Sequence, residues 1–172
     1  STCSAVSSLH LFYRKPDSIL RRSFVGAREE KAGEAMTAEL YIGTSGWHYN
    51  HWMGIFYPPE ITGYNELRFH AQHFNTVENN SSFYRIAKEP TYKTWYRMTP
   101  DGYKFSMKLN RLITHNYRLE MCEEVVKAVR TILASTQVLQ DKLGAIVIQL
   151  PPSFRRDLRR LEDLSAHLKA EV

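Results

Sequence analysis

Two ionisable side chains, a carboxylate and an ammonium group, have the clearest potential for chemistry. Glu78 stands next to Val77 in a short apolar stretch, where a carboxylate is costly to bury unless it is paired. Lys108 stands on the polar side of a stretch that alternates between polar and apolar residues. Glu78 could act as a general acid or base, and Lys108 could hold an anionic ligand or act as a catalytic base. A structural ion pair between the two is the alternative, and the sequence leaves both open.

Further polar and aromatic residues supply candidate ligand contacts. His115 follows Thr114 in a loop and is a third candidate catalytic group, as a lone histidine that can exchange a proton near neutral pH. The rings of Trp47, Tyr49 and Tyr84 could stack on a ligand or could close the mouth of the site. The full set of candidate ligand-binding residues is Thr44, Trp47, Tyr49, Asn80, Tyr84 and Gln149.

Histidines occur in two pairs with a spacing of three residues, which raises the question of a metal site. His48 and His51 lie in a loop and could meet Glu78, whereas His70 and His73 belong to a predicted outer helix. A metal site needs several ligands that converge on one point. The sequence shows no such set, so we expect neither a metal nor a cofactor.

The elements that must position these residues are four strands that alternate with four helices. The predicted strands are residues 40–43, 76–79, 104–109 and 145–150. The predicted helices are residues 65–74, a short helix between Pro90 and Pro100, residues 118–143, and a last helix marked by Leu158, Leu161, Leu164 and Leu168. This alternation implies an α/β fold with a parallel sheet and right-handed crossovers. Because the carboxyl ends of parallel strands share one edge, the candidate residues that follow them should lie together.

Two architectures satisfy this order of elements, an open doubly wound sheet and a (β/α) barrel. An open sheet that binds nucleotides usually carries a glycine-rich phosphate loop. The only Gly-x-x-Gly stretch runs from Gly43 to Gly46, and it lacks both the following Lys-Ser/Thr pair and a helix start. The missing phosphate loop weakens the case for the open sheet.

Size and composition are those of a globular chain without special partners. The 172 residues suffice for one domain, and the net charge of +5 suits an anionic ligand without arguing for nucleic acid. The two cysteines, Cys3 and Cys122, have no metal spacing, and no apolar run approaches the roughly 20 residues of a membrane span. We therefore expect a reduced, cytoplasmic protein with no membrane partner. A basic cluster forms either a solvated face or a nucleic-acid patch, and it consists of Arg155, Arg156, Arg159 and Arg160.

Residues 1–38 differ from the remainder of the chain. They are rich in Ser, Arg and small residues, their apolar residues keep no sustained period, and the first methionine is Met36. We expect a disordered or non-native leader at 1–38 that precedes a single domain at 39–172. A targeting peptide is the alternative, because residues 1–28 hold a single acid, Asp17.

Several motifs in one order resemble the YecE-like proteins, the family known as domain of unknown function 72. The matching stretches are residues 42–47, Tyr49, Trp52, residues 56–58, residues 74–78, Asn80, residues 83–85, Trp95, residues 99–100, Phe105, Lys108, residues 114–115 and residues 149–154. The resemblance implies a TIM-type (β/α) barrel and no established activity. The nine candidate catalytic and ligand-binding residues all fall on these motifs. Asn79 departs from the family pattern, in which an apolar residue follows the glutamate.

Length is the larger departure from the family. A TIM barrel has eight strands and typically about 250 residues, whereas this sequence supplies about four strands. We therefore expect the N-terminal half of a YecE-like barrel, truncated after about four β/α units. Open sheet edges and an exposed apolar interior predict marginal stability or self-association.

Three hypotheses of function follow, from different classes. The first is an enzyme, a hydrolase or isomerase that acts on a small polar or phosphorylated ligand. Glu78 would be its acid or base, Lys108 its anion contact, and Asn80 and Tyr84 would position the ligand. The second is a nucleic-acid or phosphate-binding module that uses the aromatic loops and the arginine cluster. The third is a truncated chain without activity of its own.

Overall fold

A five-stranded sheet organises the chain in the computed structural model, which describes the backbone of residues 9–14 and all of residues 39–170. The strands β2 to β5 run parallel, and β1 pairs with β2 in the antiparallel sense. They follow one another across the sheet in chain order, as β1 (Leu9–Arg14), β2 (Glu39–Ser45), β3 (Thr76–Asn79), β4 (Lys104–Lys108) and β5 (Leu143–Val147). The predicted α/β fold with four parallel strands is confirmed.

Helices follow each of the parallel strands. No helix in the described residues is long and apolar enough to cross a membrane. They are α1 (Tyr64–His73) after β2, α2 (Ser81–Tyr84) and α3 (Glu89–Met98) after β3, α4 (Glu123–Thr136) after β4, and α5 (Leu158–Ala170) after β5. Short turns of 3-10 or π geometry occupy Asn50–Trp52, Leu112–Asn116 and Gln137–Lys142.

The longest predicted helix is interrupted at both ends. Arg118 and Leu119 have φ angles of 49° and 64°, in the left-handed region, so α4 begins only at Glu123. Gln140, with a φ of 47°, breaks the helical path near the other end. Leu119 and Leu139 are fully buried all the same. The apolar stripe therefore continues through residues whose backbone is not helical, and periodicity alone could not locate the breaks.

Two further element boundaries differ from the prediction. The helix α1 begins at Tyr64 instead of residue 65, and its N-cap is Gly63, whose N–H donates to the Glu66 carboxylate at 2.9 Å. The strand β5 begins at Leu143 instead of residue 145, so Gly144 lies inside the strand. A Cβ at position 144 would lie 3.0 Å from the Cβ of Lys104, which makes glycine suited to this close approach of two strands.

The strand β1 lies in the segment for which the sequence predicted no element. Its backbone pairs with β2 from Leu9 opposite Thr44 to Arg14 opposite Glu39. Pairing along an open edge depends on backbone N–H and C=O groups more than on side-chain periodicity, which explains why no pattern revealed it. Residues 1–8 and 15–38 lie outside the described residues, and their role as a leader stays a prediction.

The two faces of the sheet have different partners. Side chains of residues paired across parallel strands point to the same face, and successive residues alternate. Val77, Phe105 and Met107 are fully buried against the helices, in one core cluster with Leu67 of α1 and Trp95 of α3. A second cluster joins Leu109 and Ile146 to α4 and α5. The opposite face, which we call the inner face, carries Ser45, Glu78, Ser106 and Lys108.

Candidate functional site

The inner face brings together three of the predicted site residues. The Lys108 Nζ lies 3.6 Å from Glu78 Oε1 and donates a hydrogen bond to Asn80 Oδ1 at 3.1 Å. The Glu78 side chain is 5% exposed and that of Lys108 is 16% exposed. The carboxylate is thus largely withdrawn from water, while part of the Lys108 side chain is exposed.

Strand register explains why these groups meet. Ser45, Glu78 and Ser106 lie side by side across β2, β3 and β4, and Lys108 follows Ser106 by two residues on the same face. Asn80 is the first residue beyond β3, and its Nδ2 donates to Ser45 Oγ at 2.5 Å. A chain of polar contacts therefore runs across three strand ends, from Ser45 through Asn80 to Lys108.

Asn79, which departs from the family pattern, stabilises the start of helix α2. It is buried on the helix side, where its Oδ1 accepts hydrogen bonds from the Ser82 N–H and the Ser81 hydroxyl, both at 3.0 Å. Its amide thus caps the short helix α2. Glu78 consequently keeps its place on the inner face, in agreement with the predicted direction of the strand.

The ends of β3 and β4 are tied together beneath the site. The Ser82 hydroxyl donates to the backbone carbonyl of Lys108 at 2.6 Å, and Asn110 Nδ2 donates to the Ser82 carbonyl at 3.0 Å. Ser82 and Asn110 are both buried. These bonds fix the backbone that carries Lys108, so its ammonium group starts from an ordered position.

His115 borders the site through an aromatic ring. The Lys108 Nζ lies 5.6 Å from the centre of the Phe83 ring, and that ring meets the His115 imidazole edge to face at 4.9 Å. The His115 Nδ1 lies 2.9 Å from Thr114 Oγ1. The Phe83 ring therefore lies next to both the Lys108 ammonium group and the His115 imidazole.

Thr44 lies on the other face of the sheet. It pairs with Val77 across the strands, and its hydroxyl donates to the Gly46 carbonyl at 2.6 Å. The same oxygen lies 2.8 Å from Nε2 of His70, whose Nδ1 lies 3.0 Å from the Tyr103 hydroxyl. Burial lowers the pKa of His70 to about 4, and the nearby His73 adds to the effect. His70 is therefore neutral near pH 7, and it holds the end of β2 through its contact with Thr44 on the helix side of the sheet.

The aromatic residues after β2 mainly pack against protein. Trp47 meets Trp95 edge to face at 5.0 Å, on the helix side of the sheet. The Tyr49 hydroxyl donates to the Ser45 carbonyl, and its ring lies 4.8 Å from Trp52. These contacts shape the loop without placing either ring beside Lys108.

Tyr84 and Gln149 lie at the surface. Tyr84 is 70% exposed, and its ring and that of Phe83 meet edge to face at 5.0 Å. Gln149 is exposed beyond the end of β5. Both remain available to a ligand.

No group of three potential metal ligands converges within residues 39–170. His48 does not approach Glu78, because its Nδ1 lies 2.6 Å from the carboxylate of Glu66 in α1. The inner-face site therefore offers a carboxylate, an ammonium group and an amide. Together these groups can bind an anion or a hydroxyl group and exchange a proton with it.

Two residues that organise the site are not among the candidates that the sequence predicts. Ser45 is one of them, although the pairing of β2 with β3 places it beside Glu78. The other is His70, for which the sequence predicts only a place on an outer helix. The signal for His70 was weak, because only the packing of α1 on the sheet places it behind Thr44.

The fold and the position of the site indicate the class of protein. Parallel β/α units whose polar residues collect at the carboxyl ends of the strands are typical of part of a (β/α) barrel. The family model described as "Protein of unknown function DUF72" matches residues 41–172. The chain belongs to this family, as the resemblance of its motifs predicted.

Named relatives agree with this assignment. The chain is 29% identical over 115 residues to the UPF0759 protein YecE of Escherichia coli K12, and 30% identical over 119 residues to the UPF0759 protein YunF of Bacillus subtilis. Each match covers 67% of this chain, but 39% of YecE and 41% of YunF. The chain thus spans about two fifths of the length of these relatives.

Solved structures support the fold. A crystal structure of a DUF72 family protein, EF0366 from Enterococcus faecalis V583, matches with a TM-score of 0.53 at 22% identity, and a second structure of it matches with a TM-score of 0.50. The first match covers 60% of this chain and 43% of the other. The four β/α units therefore form part of a TIM-type barrel.

Proposed function

We propose that the inner face at the ends of β2, β3 and β4 binds a small polar or phosphorylated ligand, and that Glu78 exchanges a proton with it. The observation that carries this proposal is the position of the Lys108 ammonium group, between Glu78 Oε1 at 3.6 Å and Asn80 Oδ1 at 3.1 Å. Both a hydrolase and an isomerase need a group that moves a proton beside a group that holds the ligand.

The ammonium group of Lys108 retains capacity for an anion. An ammonium group has three N–H donors, and Asn80 accepts one of them. The 3.6 Å separation from Glu78 is that of an ion pair rather than a short hydrogen bond. A phosphate or carboxylate that approaches the exposed side of Lys108 would therefore gain a charge-assisted hydrogen bond.

Glu78 supplies the proton-transfer group of the proposal. Its carboxylate lies beside the anion contact and is almost withdrawn from solvent, where electrostatic interactions act more strongly than in bulk water. Asn80 links Lys108 to Ser45 and so orients the ligand. Glu78 is thereby the acid or base, Lys108 the anion contact and Asn80 the positioning residue.

Phosphate binding tests the anion contact. Inorganic phosphate is titrated into the 15N-labelled chain, and its affinity is compared between the unchanged protein, Lys108→Gln and Lys104→Gln. Lys104 is the matched control, because it stands on the same strand and its Nζ donates to the Asp141 carbonyl instead. We expect about a tenfold loss of affinity in Lys108→Gln, the size of one charge-assisted hydrogen bond, and no change in Lys104→Gln. Equal affinity in all three proteins would refute the contact.

Proton exchange tests the role of Glu78. The chain is incubated in D2O with dihydroxyacetone phosphate, a small phosphorylated ketone, and loss of its C–H signals is followed by NMR. We expect exchange above the buffer rate, and we expect Glu78→Gln to abolish it while phosphate still binds. Exchange at the buffer rate in the unchanged protein would leave the inner face as a binding site and contradict the proposed proton transfer.

A second candidate function rests on the arginine cluster. Arg118, Arg155, Arg156 and Arg160 line one pocket of about 240 Å³ beside α5. Arg160 lies within 3.4 Å of the carboxylates of Glu120 and Asp157, which reduces the positive charge of the pocket. Filter binding of a single-stranded oligonucleotide tests it. Salt-sensitive retention that falls in Arg155→Gln would support a nucleic-acid module, and no retention at low salt would refute it.

A further inference from the structure

A histidine and a carboxylate form a pair away from the inner face, where the loop after β2 meets the start of α1. The His48 Nδ1 lies 2.6 Å from Glu66 Oε2, and the Glu66 side chain is 2% exposed whereas that of His48 is 67% exposed. The other carboxylate oxygen of Glu66 accepts the Gly63 N–H at 2.9 Å. Glu66 is thereby fixed at both oxygens, and it holds the imidazole in one orientation.

This pairing determines which nitrogen of His48 faces outward as an acceptor. A carboxylate accepts a hydrogen bond, so the Nδ1 carries the proton in the pair. In the neutral imidazole the lone pair then lies on Nε2. No side chain or backbone group among the described residues forms a hydrogen bond with that Nε2. In its neutral form His48 thus presents an oriented acceptor at the surface.

The acceptor borders a small cavity with aromatic walls. The cavity measures about 240 Å³ and is lined by Trp47, His48, Gly63, Tyr64, Glu66 and Trp95. Trp47 and Trp95 meet edge to face at 5.0 Å, so each ring supports the other in this wall. A cavity of about 150 Å³ in another protein is known to hold benzene. The space here suits one six-membered ring with a small substituent.

We propose that this cavity is a second ligand site, which takes a single planar ring carrying a hydroxyl or N–H donor. The ring packs against the tryptophan and tyrosine walls, and its donor bonds to Nε2 of His48. The site is distinct from Glu78 and Lys108, because it lies on the helix side of the sheet. Ligand chemistry distinguishes the two sites, since one favours anions and the other a neutral ring.

The three tryptophans of the chain provide the readout. Phenol, which carries the donor, and anisole, which has the same ring with a methyl ether in its place, are titrated separately while the indole N–H signals are followed by NMR. We expect phenol to shift the signals of Trp47 and Trp95, which line the cavity, and not that of Trp52. We expect anisole to bind about fivefold more weakly, the effect of one hydrogen bond.

Matched variants decide the role of the acceptor. His48→Leu is expected to abolish the preference for phenol, whereas His51→Leu, in the same loop, should keep it. Lys108→Gln should also leave phenol binding unchanged, which separates this site from the proposed function. The inference is overturned if phenol shifts none of the three indole signals, if it shifts all three alike, or if the preference survives in His48→Leu.

Discussion

The buried histidine behind Thr44 predicts a specific dependence of stability on pH. His70 is fully buried between Thr44 Oγ1 at 2.8 Å and the Tyr103 hydroxyl at 3.0 Å. Burial lowers its pKa to about 4 in the folded chain, whereas an unfolded histidine has a pKa of about 6.5. As the pH falls below about 6.5, the unfolded chain takes up a proton that the folded chain does not.

The sign and size of the effect follow from this difference. The contribution is complete above pH 6.5 and is lost as the pH falls towards 4, because protons then favour the unfolded state. Each pKa unit corresponds to about 1.4 kcal/mol. The free energy of unfolding should therefore fall by about 2 kcal/mol at pH 5 and about 3 kcal/mol at pH 4.

Urea denaturation at pH 7.5 and pH 5.0 measures the effect. In His70→Gln the side chain stays neutral at both pH values, so the variant should lack about 2 kcal/mol of the pH-dependent loss, whatever its absolute stability. His51→Gln replaces an exposed histidine and should keep the loss. If the unchanged chain and His70→Gln lose the same free energy between the two pH values, then His70 is not buried in its neutral form and the network with Thr44 and Tyr103 is incorrect.

Two other predictions concern the ion pair and the open edge of the sheet. In a double-mutant cycle of Glu78→Gln and Lys108→Met, read by urea denaturation, we expect a coupling energy of about 1–3 kcal/mol, because two largely buried charges lose their partners. A coupling near zero would show that the charges do not interact. The strand β5 has a neighbour only on one side among the described strands, so we expect the 172-residue chain to self-associate. Sedimentation velocity that finds only monomer across a hundredfold range of concentration would contradict this.

The pattern of residues along the chain predicted the parts of the fold that depend on local periodicity. The alternation of Phe105 and Met107 with Ser106 and Lys108 identified both faces of β4, and the structure buries the first pair under helices. The strand at 76–79 and the helix between Pro90 and Pro100 were also found at their positions. With parallel strands in register, this was enough to bring Glu78 and Lys108 together.

Contacts between elements that are distant in the sequence cannot be predicted from local periodicity. Lys142 is buried, and its ammonium group donates to the carbonyls of Tyr96 and Thr99 at 2.8 and 2.7 Å, at the end of α3. Burial lowers the pKa of Lys142, yet these carbonyl partners satisfy its donors. Nothing in the local sequence marks such a residue, because the acceptors lie more than 40 positions away. His70 escaped prediction for the same reason.

The hydrogen bonds across the strand ends determine how far the site is already ordered before further strands of a barrel contribute to it. Ser45, Asn80 and Lys108 are linked side chain to side chain, and Ser82 holds the backbone of Lys108 from below. All of these contacts join β2, β3 and β4, so the described residues fix the position of the Lys108 ammonium group among themselves. A ligand that also contacts further strands would therefore find Lys108 already in place, and the free energy of ordering Lys108 would not reduce the affinity for the ligand.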